Sequence, residues 1–217
     1  VLAREAPVDY QGKHYKMPLP GGTGLGKPLK SITHPLRADI PIYLASEGPK
    51  NVALTAEIAD GWLALFYGPR VDGFYREALT EGFARPSARR TPDDFEVACI
   101  VPVIVHDDVE TAANFYRPML ALYIGGMGAR DQNFHNNVFT RMGYEAEAKL
   151  IQDLYLDGKK AEAAAAVPTR LVEDTALIGP KEKIRDDLEM WRESIVTTLL
   201  VSGGPAQLRE IAELVLG

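Results

Sequence analysis

The chain has 217 residues, 46% of them hydrophobic and 25% charged, with a formal net charge of -6, a composition that supports a well-buried core in a single domain. The acidic balance and the absence of an arginine-rich stripe exclude a general nucleic-acid binder, because phosphate neutralisation needs a basic surface. No apolar run approaches the roughly 20 residues of a membrane helix and no charged-then-apolar leader is visible, so the cytoplasm is the expected location and no membrane partner is expected.

In chain order, VLAREAP (residues 1 to 7) reads like the end of an amphipathic helix, and residues 7 to 17 read as a small hairpin around Gln11-Gly12-Lys13. GGTGLGKP, from Gly21 to Pro28, spells most of a nucleotide-phosphate loop. A working loop needs a buried strand before it, a helix after it and a hydroxyl beside the lysine to ligate magnesium. Pro28 takes the hydroxyl position and biases Lys27 away from helical geometry, so the segment is read as a connector.

A short buried-type strand, Ile42 to Ala45, then runs through Ser46-Glu47-Gly48 into a helix opened by Pro49, which Asp60-Gly61 ends before a second strand, Trp62 to Phe66. This is a β-α-β unit. Phe74, Tyr75, Ala78 and Leu79 mark the next helix, and FEVACIVPVIV is a third strand in which Pro102 implies a bulge or a strand end. Residues 108 to about 176 are alanine-rich and helical in pattern, a helical insertion or lid broken at Gly125-Gly126, Gly128 and Gly158. The tail holds a helix begun by Pro180, a fourth strand from Ile195 to Val201 and a last helix begun by Pro205. LASEGP (44 to 49) and LVSGGP (200 to 205) share Leu, Ser, Gly and Pro at the same spacing, each between a strand and a helix. One repeated βα unit fits that echo, as in an α/β barrel or a doubly wound sheet.

In such folds ligands gather beyond the C-terminal strand ends, here the turns after Ala45, Phe66, Val105 and Val201. Backbone amides of Ser46 to Gly48 precede a helix and suit an anion, or equally a capped helix start, and Glu47 would oppose a second negative charge unless it points away. Ser202-Gly203-Gly204 repeats that logic. Phe66 and Tyr67 could face a planar ring or pack in the core. Tyr123, Met127, Arg130, Asn133 and His135 surround a glycine hinge in a composition suited to a lid. His135 and Glu47 are the possible titrating groups, neither with an identified partner, and no catalytic pair emerges from local spacing. Cys99, the only cysteine, reads as a small buried hydrophobe. The four histidines, His14, His34, His106 and His135, lack the spacing of a metal site.

Taken together, PVDYQGKHY, GGTGLGKPL, PIYLASEGPKNVALTAEIADGWL, YIGGMGARDQNFHNNVFTRMGYE and ALIGP resemble the luciferase-like monooxygenase superfamily, and within it the actinobacterial oxidoreductases that use the deazaflavin coenzyme F420. The resemblance implies an α/β fold, the (β/α)8 TIM barrel of the bacterial-luciferase type, of which about four βα units, the second half, are recognisable here. It implies hydride transfer between F420 and a small organic substrate, with FMN as the alternative cofactor of a monooxygenase. Ala45, Ser46, Glu47 and Gly48 match the turn that approaches the cofactor's phosphate-bearing tail, and Leu65 and Phe66 match the next strand end near it. Relatives acting on sugar phosphates carry a basic residue where Gly68 stands, which speaks against such a substrate. A half barrel leaves strand edges open. The chain is therefore expected to form a homo-oligomer, to pair with the other barrel half, or, as a non-catalytic fragment, to bind a partner through its open edge.

Overall fold

The computed structural model describes residues 1–130 and 132–216. Contacts cluster into two compact units, Val1–Pro41 and Ile42–Gly217.

In the first unit, β1 (Tyr10–Gln11) pairs antiparallel with β2 (Lys16–Met17), placing Tyr10 opposite Met17 as the hairpin pattern suggests. Val1 to Pro7 is not helical. Its backbone turns instead, with the Arg4 N–H donating to the Val1 carbonyl at 3.2 Å. Gly21 to Pro28 carries no helix or strand, and Gly21 and Gly26 sit at φ +70° and +64°, which glycine adopts at little cost. No helix follows that would aim amides at a phosphate.

The second unit opens with β3 (Tyr43–Ala45), α1 (Pro49–Ile58), β4 (Gly61–Ala64), α2 (Asp72–Phe83) and β5 (Glu96–Ile100). After β6 (Val103–Val105) come α3 (Val109–Ala121), α4 (Phe134–Arg141), α5 (Glu145–Leu156), α6 (Lys160–Ala165) and α7 (Thr169–Thr175). It closes with β7 (Leu177–Gly179), α8 (Lys181–Arg192), β8 (Thr198–Leu200) and α9 (Pro205–Leu216). Four strands form a parallel sheet in the order β3-β4-β5-β8, with strand-helix-strand crossovers as the repeated βα motif requires. LASEGP and LVSGGP are the β3–α1 and β8–α9 junctions, on the two outer strands of that sheet.

Pro102 divides the third strand. Before it, β5 pairs with β8; beyond it, β6 pairs with β7, a strand the sequence pattern did not single out, and the Pro102 carbonyl accepts from the Leu177 N–H at 2.9 Å. Proline has no N–H to continue a ladder, so the chain changes partners there. The second strand is shorter than its apolar run suggests, because β4 ends at Ala64 and Phe66 adopts φ +56°.

Two apolar cores result. One joins the sheet to α1, α2, α8 and α9 through Val52, Trp62, Tyr75, Val97, Leu188 and Ile211. The other lies within the helical segment, where Leu120, Ile124, Phe139, Ile151 and Leu171 surround Phe66 and Ile178. Helices α1 and α2 touch backbone to side: a Cβ on Gly82 would stand 2.1 Å from the Ala53 carbonyl oxygen, so only glycine allows this approach.

Candidate functional site

A cavity of about 550 Å³ lies beyond the C-terminal ends of β3 and β4. Ala45, Ser46, Glu47, Gly48 and Asn51 line one side, Leu63 and Leu65 a second, and Phe134 and His135 of α4 a third. The strand ends place these groups together for the reason the fold class suggests: each βα turn emerges on the same side of a parallel sheet.

The turn after β3 is held from beneath. The Trp62 indole N–H donates to the Ser46 carbonyl at 2.8 Å, and the Ser46 and Thr55 hydroxyls meet at 3.0 Å. Gly48 is the N-cap of α1 and makes no side-chain cap hydrogen bond, while Pro49 occupies the first helical turn. The positive end of the helix dipole therefore faces the turn without a side chain to neutralise it. A Cβ built on Gly48 meets nothing within 4 Å, so the space above the turn is open to an incoming group.

Glu47 and His135, 88 positions apart, meet here: the Glu47 Oε1 lies 2.8 Å from the His135 Nδ1, and each side chain is 9% exposed. Each is the partner that local sequence did not supply for the other. Burial pushes the Glu47 carboxyl up to about 7, against the attraction of Arg141, and burial also lowers the His135 imidazole from its ordinary value. Both shifts disfavour separated charges. The objection that Glu47 repels an anion is lessened, because burial favours the neutral form of its carboxyl. Arg141, also on α4, donates from a terminal guanidinium nitrogen to the Glu47 carbonyl at 3.0 Å and lies over the Phe74 ring at 5.3 Å. Among the described residues, Glu47 Oε2 and Arg141 Nε are buried and find no hydrogen-bond partner.

Leu65 faces the cavity, whereas Phe66 is buried behind it, its ring against Tyr123, His135 and Phe139 at centroid distances of 4.9, 5.9 and 5.1 Å. Its left-handed backbone, uncommon for a bulky residue, costs on the order of 1 kcal/mol or more and is held by that packing. Tyr67 is likewise buried, donating to Asp72 at 2.5 Å. Among the expected lid residues, Asn133 caps α4 and its Nδ2 donates to the Tyr123 and Ile124 carbonyls at 3.0 and 2.9 Å. Arg130 pairs with Asp153, and Met127 is exposed. Gly125 and Gly126 form part of a π-helical turn, Leu122–Gly126, pressed against Tyr155, where an added Cβ would come within 2.5 Å of the Tyr155 Cβ at Gly125 and 2.4 Å of its ring at Gly126. Close packing against Tyr155 accounts for glycine at both positions.

Residues 1–198 match the model of the luciferase-like monooxygenase family. The chain belongs to that family. This luciferase-like chain is 51% identical over 218 residues to a Mycobacterium tuberculosis protein provisionally named a coenzyme F420-dependent oxidoreductase, covering 99% of the chain and 63% of that relative. It shares 24% identity and a TM-score of 0.68 with the solved coenzyme F420-dependent tetrahydromethanopterin reductase of Methanopyrus kandleri, over 94% of the chain and 54% of that structure. An F420-dependent secondary alcohol dehydrogenase, solved with an F420-acetone adduct, gives 15% identity and a TM-score of 0.60 over 92% of the chain and 51% of that structure. At these identities the solved structures speak for the fold, the parallel α/β arrangement of a luciferase-type TIM barrel. The luciferase-like chain thus spans 63% of the first relative's length and about half of the two solved structures.

Proposed function

We propose that this chain is the cofactor-binding part of an F420-dependent oxidoreductase acting on a small organic molecule. The observation that carries the reading is the cavity over the turn after β3, open above Gly48 and facing an uncapped helix start. The F420 dependence named for the Mycobacterium tuberculosis protein, 51% identical across nearly the whole chain, supports F420 as its occupant. When bound, F420 supplies the hydride donor or acceptor. The residues present fit such a group: a phosphate-bearing tail matches the free helix end, and an orphaned carboxyl oxygen, Glu47 Oε2, is the kind of polar atom a ligand satisfies.

In this reading Ala45, Ser46, Glu47 and Gly48 hold the tail, Leu65 contacts the cofactor, and Phe66 acts from behind by fixing His135. Leu63, Leu65 and Phe134 exclude water on the apolar sides. The helical segment 108–176 covers the site through α4. Gly68 has no room for a side chain, because an added Cβ would sit 2.3 Å from the Asp174 carbonyl oxygen, which supports a substrate other than a sugar phosphate.

The description of the family as monooxygenases favours FMN as the second cofactor candidate. A binding role without catalysis is favoured by the outer position of β3 and β8 in the sheet and by the exposure of Ile42, Tyr43 and Leu200. Pairing there with a second copy or with the other barrel half follows the same observation. Fluorescence titration with F420 and, separately, FMN distinguishes these readings: saturation by F420 alone supports the first, saturation by FMN alone the second, and neither the third.

A further inference from the structure

The Glu47 carboxyl uses one oxygen for His135; the other, Oε2, is shielded from solvent and has no hydrogen-bond partner among the described residues, and Glu47 is one of the residues lining the cavity. The titratable and charged groups facing it are His135 and Arg141 from α4 and Tyr75 from α2. One terminal nitrogen of Arg141 donates to the Glu47 carbonyl, and among the described residues no ion pair joins its guanidinium to the Glu47 carboxylate, so its charge attracts the carboxylate without a direct hydrogen bond. A buried carboxylate with one bare oxygen is costly, and so is a buried acid whose O–H has no acceptor. With the His135 Nδ1–H donating to Oε1, the carboxyl proton resides on Oε2, the one oxygen still free to donate.

We propose that Glu47, oriented by His135, donates a hydrogen bond from Oε2 to an anionic oxygen of the ligand over the Ser46–Gly48 turn, so that ligand binding is coupled to a proton held there. The inference rests on the cofactor reading above and adds to it a residue that selects the protonation state in which the site binds. Burial, which raises Glu47 to about 7 and lowers His135, keeps the donor available near neutral pH. A carboxylate at the same position would instead face the ligand's negative charge. The sign follows: affinity is full below the carboxyl's titration and falls as pH rises through it, by up to tenfold per pH unit.

The test is F420 titration of the chain between pH 6 and 9, for wild type and E47Q, with unfolding midpoints recorded alongside. Glutamine keeps a donor that does not titrate, so the wild-type dissociation constant should rise about tenfold per unit above pH 7 to 8 while that of E47Q stays flat. Equal pH slopes in the two proteins, or a flat wild type, would overturn the inference while leaving the cofactor reading intact. If E47Q fails to fold, calorimetry of wild type at pH 8 in two buffers of different ionisation enthalpy decides instead. Uptake of close to one proton per F420 supports the inference and none overturns it. No F420 binding at any pH would defeat the cofactor reading, and the inference with it.

Discussion

The indole N–H of Trp62 donates to the carbonyl oxygen of Ser46 across 2.8 Å, so a buried side chain at the start of β4 fixes the turn that ends β3. W62F keeps most of the apolar volume and removes the donor, leaving a carbonyl unsatisfied. The expected loss is about 1–3 kcal/mol of stability, with weaker ligand binding, read from urea midpoints at unchanged slope and from titration of the variant.

Gly82 should tolerate no side chain. G82A places a methyl group 2.1 Å from the Ala53 carbonyl and forces α1 and α2 apart, at an expected cost of about 1–3 kcal/mol. Denaturant unfolding of G82A beside G73A, whose Cβ meets nothing within 4 Å, separates packing from helix propensity. The second substitution should be neutral or stabilising.

Asp60 should make part of the stability acid-sensitive. Burial opposes its ionisation, but the Ile42 N–H at 2.8 Å, the Arg90 hydrogen bond at 2.8 Å and the charges of Arg89 and Arg90 outweigh it and hold the carboxyl below its ordinary value. A carboxyl depressed on folding contributes stability that is complete above its unfolded value, near 3.9, and lost as pH falls through the lower folded one. D60N should therefore unfold at lower urea than wild type at pH 7, and the gap should narrow below about pH 4.

Cys99 should be inert while the protein is folded. It is fully buried and burial pushes its thiol up to about 12. A disulfide reagent at pH 8 should modify it only after denaturation, at a rate that follows unfolding.

The β-α-β unit was legible because Pro49, Asp60-Gly61 and the apolar runs on either side are local signals, and the structure places β3, α1 and β4 on them. The partner change at Pro102 was half legible: proline announced the break, but nothing nearby announced β7, since Leu177, Ile178 and Gly179 are too few to show a period. The pairing of Glu47 with His135 could not be read from spacing, because it depends on how α4 packs across the end of the sheet. Phe66 carried an apolar signal common to strand and core, and only its left-handed backbone turns it behind the cavity. Gly125 and Gly126 suggested a hinge because a glycine looks the same whether it grants freedom or close contact.

The most direct test of the central claim is equilibrium titration of wild type and G48D with F420. Gly48 has φ -80° and open space around it, so aspartate fits without strain and adds one negative charge where the ligand's anionic tail is placed. Saturable binding by wild type, weakened at least about tenfold in G48D with an unfolding midpoint that is unchanged or raised, since aspartate is a favourable N-cap, is the result expected of an anion-binding turn. Equal affinity in the two proteins would contradict it.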